Sequence, residues 1–232
     1  MNLDLLGGFK LSLGAHSVEV PATAQRVLAL LAVRGTMSRT SVAGTLWPEV
    51  SEEKALASLR TCLWRIQQID RGLVAAGSTT VELTDALDVD VHELTATARM
   101  LLNDGVEHLS PWWFSGRFVS DLLPDWSEDW LVIERERLRQ LRLHALERLA
   151  ERLTAQGRYG LALEAALAAV RADSLRESAH RAAIMVHLAE GNIAEAVRQF
   201  QRCRDLLRSE FGVEPTPALA RLLGDRLALH AA

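Results

Sequence analysis

One short sequence pattern occurs twice near the C-terminal end of this chain, at a spacing of 34 residues. The first copy runs from Leu153 to Ala162 and the second from His187 to Ala196. Equivalent positions hold identical or similar residues, namely Gly157 and Gly191, Ala155 and Ala189, Ala162 and Ala196, and Tyr159 and Ile193. The pattern predicts two helices that meet at a tight turn, because small residues let the helix axes approach and a bulky residue fills the space between them.

A spacing of 34 residues is the period of the tetratricopeptide repeat, in which each unit is a pair of helices. Such units stack on their neighbours and form a curved surface that binds other chains. The repeat therefore predicts that the C-terminal part of the chain recognises a partner and does not catalyse a reaction.

The composition is that of a soluble globular protein, since 49% of the 232 residues are hydrophobic and 24% are charged. No apolar run approaches the roughly 20 residues that a membrane-spanning helix needs. The N-terminus does not have the pattern of a signal peptide. Cys62 and Cys203 lack the spacing of metal ligands. We therefore expect reduced thiols in a cytoplasmic protein that does not bind a membrane.

The charge distribution excludes a strongly basic domain. The net charge is −4, with 26 basic and 30 acidic residues in all. Up to residue 90 there are 8 basic and 10 acidic residues, and after it 18 and 20. Binding to a nucleic acid would therefore depend on a local basic patch.

The first 35 residues predict a small sheet followed by a helix. Apolar residues alternate between positions 2 and 20 and glycines interrupt them, which predicts three short antiparallel strands joined by tight turns. The period changes at Pro21, and Thr23 is the expected N-cap of a helix that ends near Gly35. Its apolar stripe consists of Val27, Leu28, Leu30 and Leu31.

The next segment predicts a winged helix-turn-helix. Ser38 is expected to cap a short helix that Pro48 stops, and Ser51 precedes a longer helix that runs to about Ile69. A hairpin, the wing, is expected over residues 73–83. The second helix of a helix-turn-helix lies in the DNA major groove.

The rest of the chain predicts helices almost throughout, with a helix over 91–102, a long helix from about Ser127 to Gln156, and a last helix over 218–229. Four tryptophans are expected to pack the connection over 103–127 onto the long helix: Trp112, Trp113, Trp126 and Trp130. The long helix carries many arginines, but the glutamates between them favour an ion-paired protein surface over a membrane-binding one.

Several segments are characteristic of one family. They are Gln25–Leu31, Leu46–Pro48, Asp88–His92, Asp173–Arg181, Leu188–Ala196 and Phe211–Pro217. Together they resemble the antibiotic regulatory protein family of actinobacterial transcription activators, over nearly the whole chain. The resemblance implies an α+β N-terminal winged helix-turn-helix domain over residues 1–90. An all-α, tetratricopeptide-like bacterial transcriptional activator domain would follow over residues 91–232.

The resemblance also implies a function. Members of the family are sequence-specific regulators that bind double-stranded DNA at direct repeats upstream of promoters, often in gene clusters of secondary metabolism. The activator domain would pair two protomers into a homodimer, contact RNA polymerase, or do both. No receiver or nucleotide-switch domain is expected on either side and no cofactor is implied, so control would come from abundance or from a ligand or partner on the repeat surface.

The third helix has one polar face when it is drawn at 100° per residue. Leu56, Leu59, Leu63 and Ile66 define the stripe that is expected to be buried, and Trp64 lies on a flank. The side chains on the other face can donate to phosphates or base edges, and arginine and glutamine can bind guanine and adenine bidentately. The predicted DNA-binding residues of this face are Lys54, Ser58, Thr61, Arg65 and Gln68, with Arg60 on a flank. Arg39, at the start of the preceding helix, is expected to anchor a backbone phosphate. The alternative is that this is an ordinary solvated helix face.

Two other functions are weighed against DNA binding. The sequence has no phosphate-binding loop, nucleophile elbow or zinc helix, so an enzyme is not expected. His180 and His187 lie about two helical turns apart, and packing between repeats is favoured over metal binding. The remaining alternative is a protein-interaction module with weakened DNA binding. It is motivated by the wing, residues 73–83, which has no basic residue.

Overall fold

The computed structural model describes residues 1–103 and 120–230, with side chains as far as Gly224 in the last helix. The described residues divide into two compact units, 1–97 with 120–138, and 98–103 with 139–230. In the part of the chain that is described, no helix is both long and apolar enough to cross a membrane. The expected packing of Trp112 and Trp113 lies outside the described residues.

The strands of the first unit are, in chain order, β1 (Asn2–Asp4), β2 (Lys10–Leu13), β3 (His16–Val18), β4 (Met37–Ser38), β5 (Val74–Ala76), β6 (Thr80–Leu83) and β7 (Asp88–Val89). One sheet has the order β3-β2-β1-β7 and the other has the order β4-β6-β5. The first three strands pair antiparallel, which confirms the prediction. Strand β7 pairs parallel to β1, a long-range pairing that the sequence pattern did not predict.

The first helix, α1, spans Ala22–Arg34 and supplies much of the core of the first unit. Its N-cap is Pro21, whose carbonyl accepts from the backbone N of Ala24 (2.8 Å) and of Gln25 (3.0 Å). The expected N-cap, Thr23, is therefore wrong, because proline already fixes the extended φ that the cap position needs. The helix ends at Gly35, whose φ of 74° lies in the region that favours glycine.

Helices α2 (Arg39–Leu46) and α3 (Glu52–Ile69) follow α1. Helix α2 is capped as predicted, since the hydroxyl of Ser38 accepts from the backbone N of Ser41 at 3.0 Å. The buried stripe of α3 consists of Ala55, Leu59, Cys62, Leu63 and Ile66. Leu56, predicted to be buried, is only half-buried, because it lies about 100° from Ala55 on a helical wheel, at the edge of the buried stripe.

The remaining helices are α4 (Asp90–Leu102), α5 (Asp129–Ala155), α6 (Tyr159–Ala172), α7 (Glu177–Glu190), α8 (Ile193–Phe211) and α9 (Pro217–His230). Helices α6, α7 and α8 pack on one another in sequence. The two predicted turns are present, and Gly157 and Gly191 adopt positive φ values of 71° and 88°. Ala162 and Ala196 are fully buried at the equivalent positions of α6 and α8, as the repeat predicts.

Buried polar contacts connect the repeat helices of the second unit. Nε of Arg176, in the loop before α7, donates to Glu147 of α5 at 2.8 Å. The imidazole of His180 is fully buried. Its Nε2 lies 3.0 Å from the carbonyl of Ser174, and its Nδ1 lies 2.9 Å from the amide of Gln199 on α8.

These partners fix the state of the ring, because an amide N–H can only donate and a carbonyl can only accept. Nδ1 of His180 is therefore the acceptor, Nε2 is the donor, and the imidazole is neutral. Burial lowers the pKa of His180 from its ordinary value, which favours the same neutral form. His180 thus joins two neighbouring helices, which agrees with the packing role expected for it.

Candidate nucleic-acid interface

Helices α2 and α3 form the helix-turn-helix, joined by residues 47–51. The backbone N of Trp47 donates to the carbonyl of Ala43 at 2.9 Å, which closes α2 one residue before Pro48. Glu52 and Glu53 lie in the first turn of α3, where carboxylates interact favourably with the exposed N–H groups of a helix. The turn therefore separates two well-terminated helices, as a helix-turn-helix requires.

The solvent face of α3 carries the predicted contact residues. Lys54, Arg60, Thr61, Arg65 and Gln68 are exposed and Ser58 is half-buried. No carboxylate occurs between Lys54 and Ile69, so the acidic residues of α3 are confined to its first turn, at Glu52 and Glu53. The face combines positive charge with hydrogen-bonding groups, a combination that suits a phosphate backbone and base edges.

Two hydroxyl groups on this face already donate within the helix. Oγ of Ser58 donates to the carbonyl of Lys54 at 3.0 Å, and Oγ1 of Thr61 donates to the carbonyl of Ala57 at 3.1 Å. In this arrangement both oxygens remain acceptors, because each hydroxyl has a single proton. They suit a donor such as the amino group of adenine or cytosine better than they suit a phosphate oxygen.

The wing is joined to the start of α2 through Arg39. Its backbone N donates to the carbonyl of Thr79 at 2.9 Å, and its Nε donates to the carbonyl of Gly77 at 3.0 Å. The side chain predicted to anchor a phosphate thus also holds the turn of the wing. Its terminal nitrogens are the groups that would reach a phosphate.

A second arginine braces the other end of α2. One terminal nitrogen of Arg26 on α1 donates to the carbonyl of Leu46 and to a carboxylate oxygen of Glu128, both at 2.8 Å. Its Nε lies 2.7 Å from the other oxygen of Glu128. The pair lines a cavity of about 380 Å³ beside Trp47 and Val50. Arg26 thus connects the last turn of α2 to residues outside the helix-turn-helix.

A buried carboxylate holds the segment that directly follows β1. Asp90, the first residue of α4, is 5% exposed. Its two oxygens accept from the backbone N of Leu5 at 3.0 and 2.9 Å and from that of Leu6 at 2.9 Å. Burial raises the pKa of Asp90 above its ordinary value, against the opposing effect of these hydrogen bonds. Asp90 therefore holds the segment that directly follows β1 against the start of α4.

Sequence reasoning placed Trp64 on a flank of α3 and left it out of the contact set. In the structure its side chain is 60% exposed, among the largest exposed apolar groups of the described residues. The signal that the sequence offered was its helical position, because Trp64 lies about 40° from Gln68 on a helical wheel.

Neither cysteine is part of a candidate site. Cys62 and Cys203 are both buried and unpaired, and burial raises the pKa of Cys203 to about 11, so its thiol is unreactive at neutral pH. Within residues 1–103 and 120–230, no group of three or more histidines, cysteines or carboxylates is arranged to hold a metal ion.

Two of three comparisons with known proteins found a similar protein or family. No curated protein sequence matches it. The solved structure of Mycobacterium tuberculosis EmbR in complex with a low-affinity phosphopeptide is similar, with a TM-score of 0.75 and 19% sequence identity. The match covers 98% of this chain but 65% of the EmbR chain, so this chain spans less than two thirds of that protein. The likeness confirms the fold class, an α+β winged helix-turn-helix followed by tetratricopeptide-like helices.

The family comparison covers the second part of the chain. The model of the bacterial transcriptional activator domain matches residues 94–225, more than half of the 232 residues. On this match, and with the winged helix that precedes it, the chain belongs to the bacterial transcriptional activator domain family of transcription regulators.

Proposed function

We propose that this protein is a sequence-specific DNA-binding transcription regulator that activates promoters and contacts RNA polymerase. The solvent face of α3 carries the proposal, because it offers three cations and three hydrogen-bonding side chains with no carboxylate between Lys54 and Ile69. The residues proposed to contact DNA are Arg39, Lys54, Ser58, Arg60, Thr61, Arg65 and Gln68. Arg65 is exposed on this surface, and its guanidinium can bind guanine bidentately.

The helical repeats are proposed to supply the protein contacts. Stacked helix pairs bind other chains rather than small substrates. We therefore assign to the second unit the pairing of two protomers on direct repeats of DNA and the contact with RNA polymerase. The domain boundary near residue 90 is part of this proposal.

Few charges face the DNA, and this sets the expected salt dependence. Each neutralised phosphate contributes about −0.9 to the slope of log affinity against log salt concentration. Arg65 is assigned to guanine, so Arg39, Lys54 and Arg60 are the cations left for phosphates. They give a slope of about −2.7, which is roughly a 40-fold loss of affinity between about 50 and 200 mM salt. A protein that makes six to ten phosphate contacts loses about a thousandfold or more over that range.

The test is a fluorescence anisotropy titration with duplex DNA from upstream of the gene, against scrambled duplex, at both salt concentrations. The wild-type chain is expected to prefer the upstream DNA and to show the shallow slope. Arg65→Ala is expected to lower specific affinity by about 10- to 100-fold, since a bidentate guanine contact contributes about 1–3 kcal/mol of discrimination.

Arg181→Ala is the matched control, because Arg181 is an exposed arginine on α7 in the second unit. It removes the same charge and is expected to leave affinity unchanged. Equal affinities of wild type and Arg65→Ala for the preferred duplex would contradict the assignment of the α3 face.

One observation favours a second function, a protein-interaction module that no longer reads DNA. The wing lacks any basic residue, although a wing usually gains affinity from phosphate contacts. This alternative predicts no preference for the upstream duplex at either salt concentration.

A further inference from the structure

The centre of the DNA-facing surface of α3 holds one large apolar group, Trp64. Its side chain is 60% exposed, whereas the buried stripe on the opposite side of the helix includes Leu59, Leu63 and Ile66. On a helical wheel Trp64 lies about 40° from Gln68. It therefore belongs to the surface of the predicted contact residues and not to the core.

The surroundings of Trp64 limit what can cover it. Arg60 precedes it by one turn, Arg65 follows it directly, and Gln68 lies one turn further on. All three are exposed. An apolar partner surface would have to desolvate two cations around the indole, which is unfavourable without acidic groups to pair with them. The partner that suits an indole between two arginines carries many negative charges and presents apolar atoms between them.

Duplex DNA has those two properties. In the major groove thymine presents a C5-methyl group, the one strongly apolar group among the base edges. From Arg60 to Gln68 the helix rises about 12 Å, the length of three to four base-pair steps. The indole is in the middle of that span, so it would face a base edge while its charged neighbours reach guanine or the backbone.

We propose that Trp64 is a specificity-determining residue that reads the methyl group of one thymine in the operator. The inference depends on the proposed function, because it assumes that α3 lies in the major groove. It adds a sequence preference that the polar contacts alone do not give. Thymine is selected by apolar contact with its methyl group, and a cytosine at the same position offers no such group.

The test begins with selection of duplexes from a random-sequence library by the full wild-type chain. Each thymine in the selected duplex is then replaced singly by deoxyuridine, which removes the methyl group and keeps the base pairing. For the wild-type chain we expect one position at which this replacement weakens binding about fourfold, the value of about 0.8 kcal/mol for one buried carbon group. The same replacement at any other thymine should leave the affinity unchanged.

Trp64→Ala is expected to bind the selected duplex more weakly and to lose the fourfold discrimination at that single position. The two changes form a double-mutant cycle, and the coupling between them isolates the indole–methyl contact from general loss of affinity. Trp64→Phe, which keeps an apolar ring, should retain most of the discrimination. Gln67→Ala is the control. Gln67 is exposed on the same helix, and its replacement by alanine removes no apolar ring.

The possible results separate the inference from the proposed function. Equal discrimination by wild type and Trp64→Ala, or a selected duplex without a methyl-sensitive thymine, would overturn the inference and leave DNA binding intact. Failure of the wild-type chain to select any sequence would overturn the proposed function, and the inference with it.

Discussion

Replacing Asp90 by alanine is expected to unfold the first unit at a much lower denaturant concentration. The carboxylate of Asp90 accepts from the backbone N of both Leu5 and Leu6 at 2.9–3.0 Å. Leu5 is fully buried, so its N–H group cannot turn to water when the acceptor is removed. The substitution would therefore leave at least one buried donor, and partly a second, without a partner.

The magnitude follows from the number of donors. Each buried polar group left without its partner costs about 1–3 kcal/mol, so two donors give about 2–6 kcal/mol. Part of this cost is offset because the charge of Asp90 is itself disfavoured by burial, as its raised pKa indicates. We expect a net loss of about 3 kcal/mol, or a fall of about 1–3 M in the urea midpoint at an ordinary denaturant slope of about 1–3 kcal/mol/M.

Tryptophan fluorescence is the appropriate assay. All six tryptophans lie between residues 47 and 130, and none lies in residues 139–232. Trp47, Trp64, Trp126 and Trp130 belong to the described residues of the first unit, so the change in their emission in urea reports its unfolding. The far-ultraviolet circular dichroism is dominated by the helices of both units. The midpoint of the fluorescence transition should fall in Asp90→Ala.

Asp88→Ala is the matched control, because Asp88 is an exposed aspartate two residues away on β7. It removes the same charge without removing an acceptor for Leu5 or Leu6, and its midpoint should stay close to that of the wild type. If the free energies of unfolding of the two variants agree within about 0.5 kcal/mol, the range of an ordinary surface substitution, the buried carboxylate does not hold this segment in place and the explanation is refuted.

Two further predictions concern the second unit. The neutral form of His180 is favoured by folding, since burial lowers its pKa from 6.5. The stability that this neutral form contributes is therefore fully present above pH 6.5, and it is lost as the pH falls through the pKa of His180 in the folded protein. Urea midpoints followed by circular dichroism should decline from about pH 7.5 to about pH 5, and His180→Gln should show a smaller decline. An unchanged pH slope in that variant would contradict this. Gly191→Ala should destabilise by about 1 kcal/mol because an alanine at positive φ is strained, whereas Gly160→Ala, in the first turn of α6, should stabilise by about 0.4–1 kcal/mol. The midpoint temperature of thermal unfolding should fall in Gly191→Ala and rise in Gly160→Ala. Midpoints that shift in the same direction in both variants would show that backbone strain is not the cause.

Local pattern predicted the elements well and long-range contacts poorly. The helix-turn-helix and both repeat turns follow from spacing, caps and glycines, all of which act within a few residues. The pairing of β7 with β1 joins positions 86 residues apart, and the contact of Asp90 with Leu5 joins positions 85 residues apart. No periodicity within either segment encodes such a pairing, which arises only when the core forms.

The proposed DNA-contacting face of α3 was also only partly predictable, because its details depend on tertiary packing. A helical wheel gives the polar face of α3, but the exact direction of the stripe depends on which small residues the core accepts. Ala55 and Cys62 are buried while Leu56 is only half-buried, and this shift leaves Trp64 open. The contact of Arg39 with the wing at Gly77 was likewise invisible, because it requires the tertiary fold.

The sparse charge of the α3 face and the uncharged wing have a consequence for how a regulator of this kind would search a genome. A bacterial chromosome offers about a million or more competing sites, and a protein with a strong general affinity for phosphates spends most of its time on them. Three cations on α3 and none on the wing keep that background attraction small. Fewer molecules would then be sequestered on bulk DNA, so a low copy number suffices to occupy the operator. The cost is a slower encounter, since weak non-specific binding shortens each sliding path along the duplex.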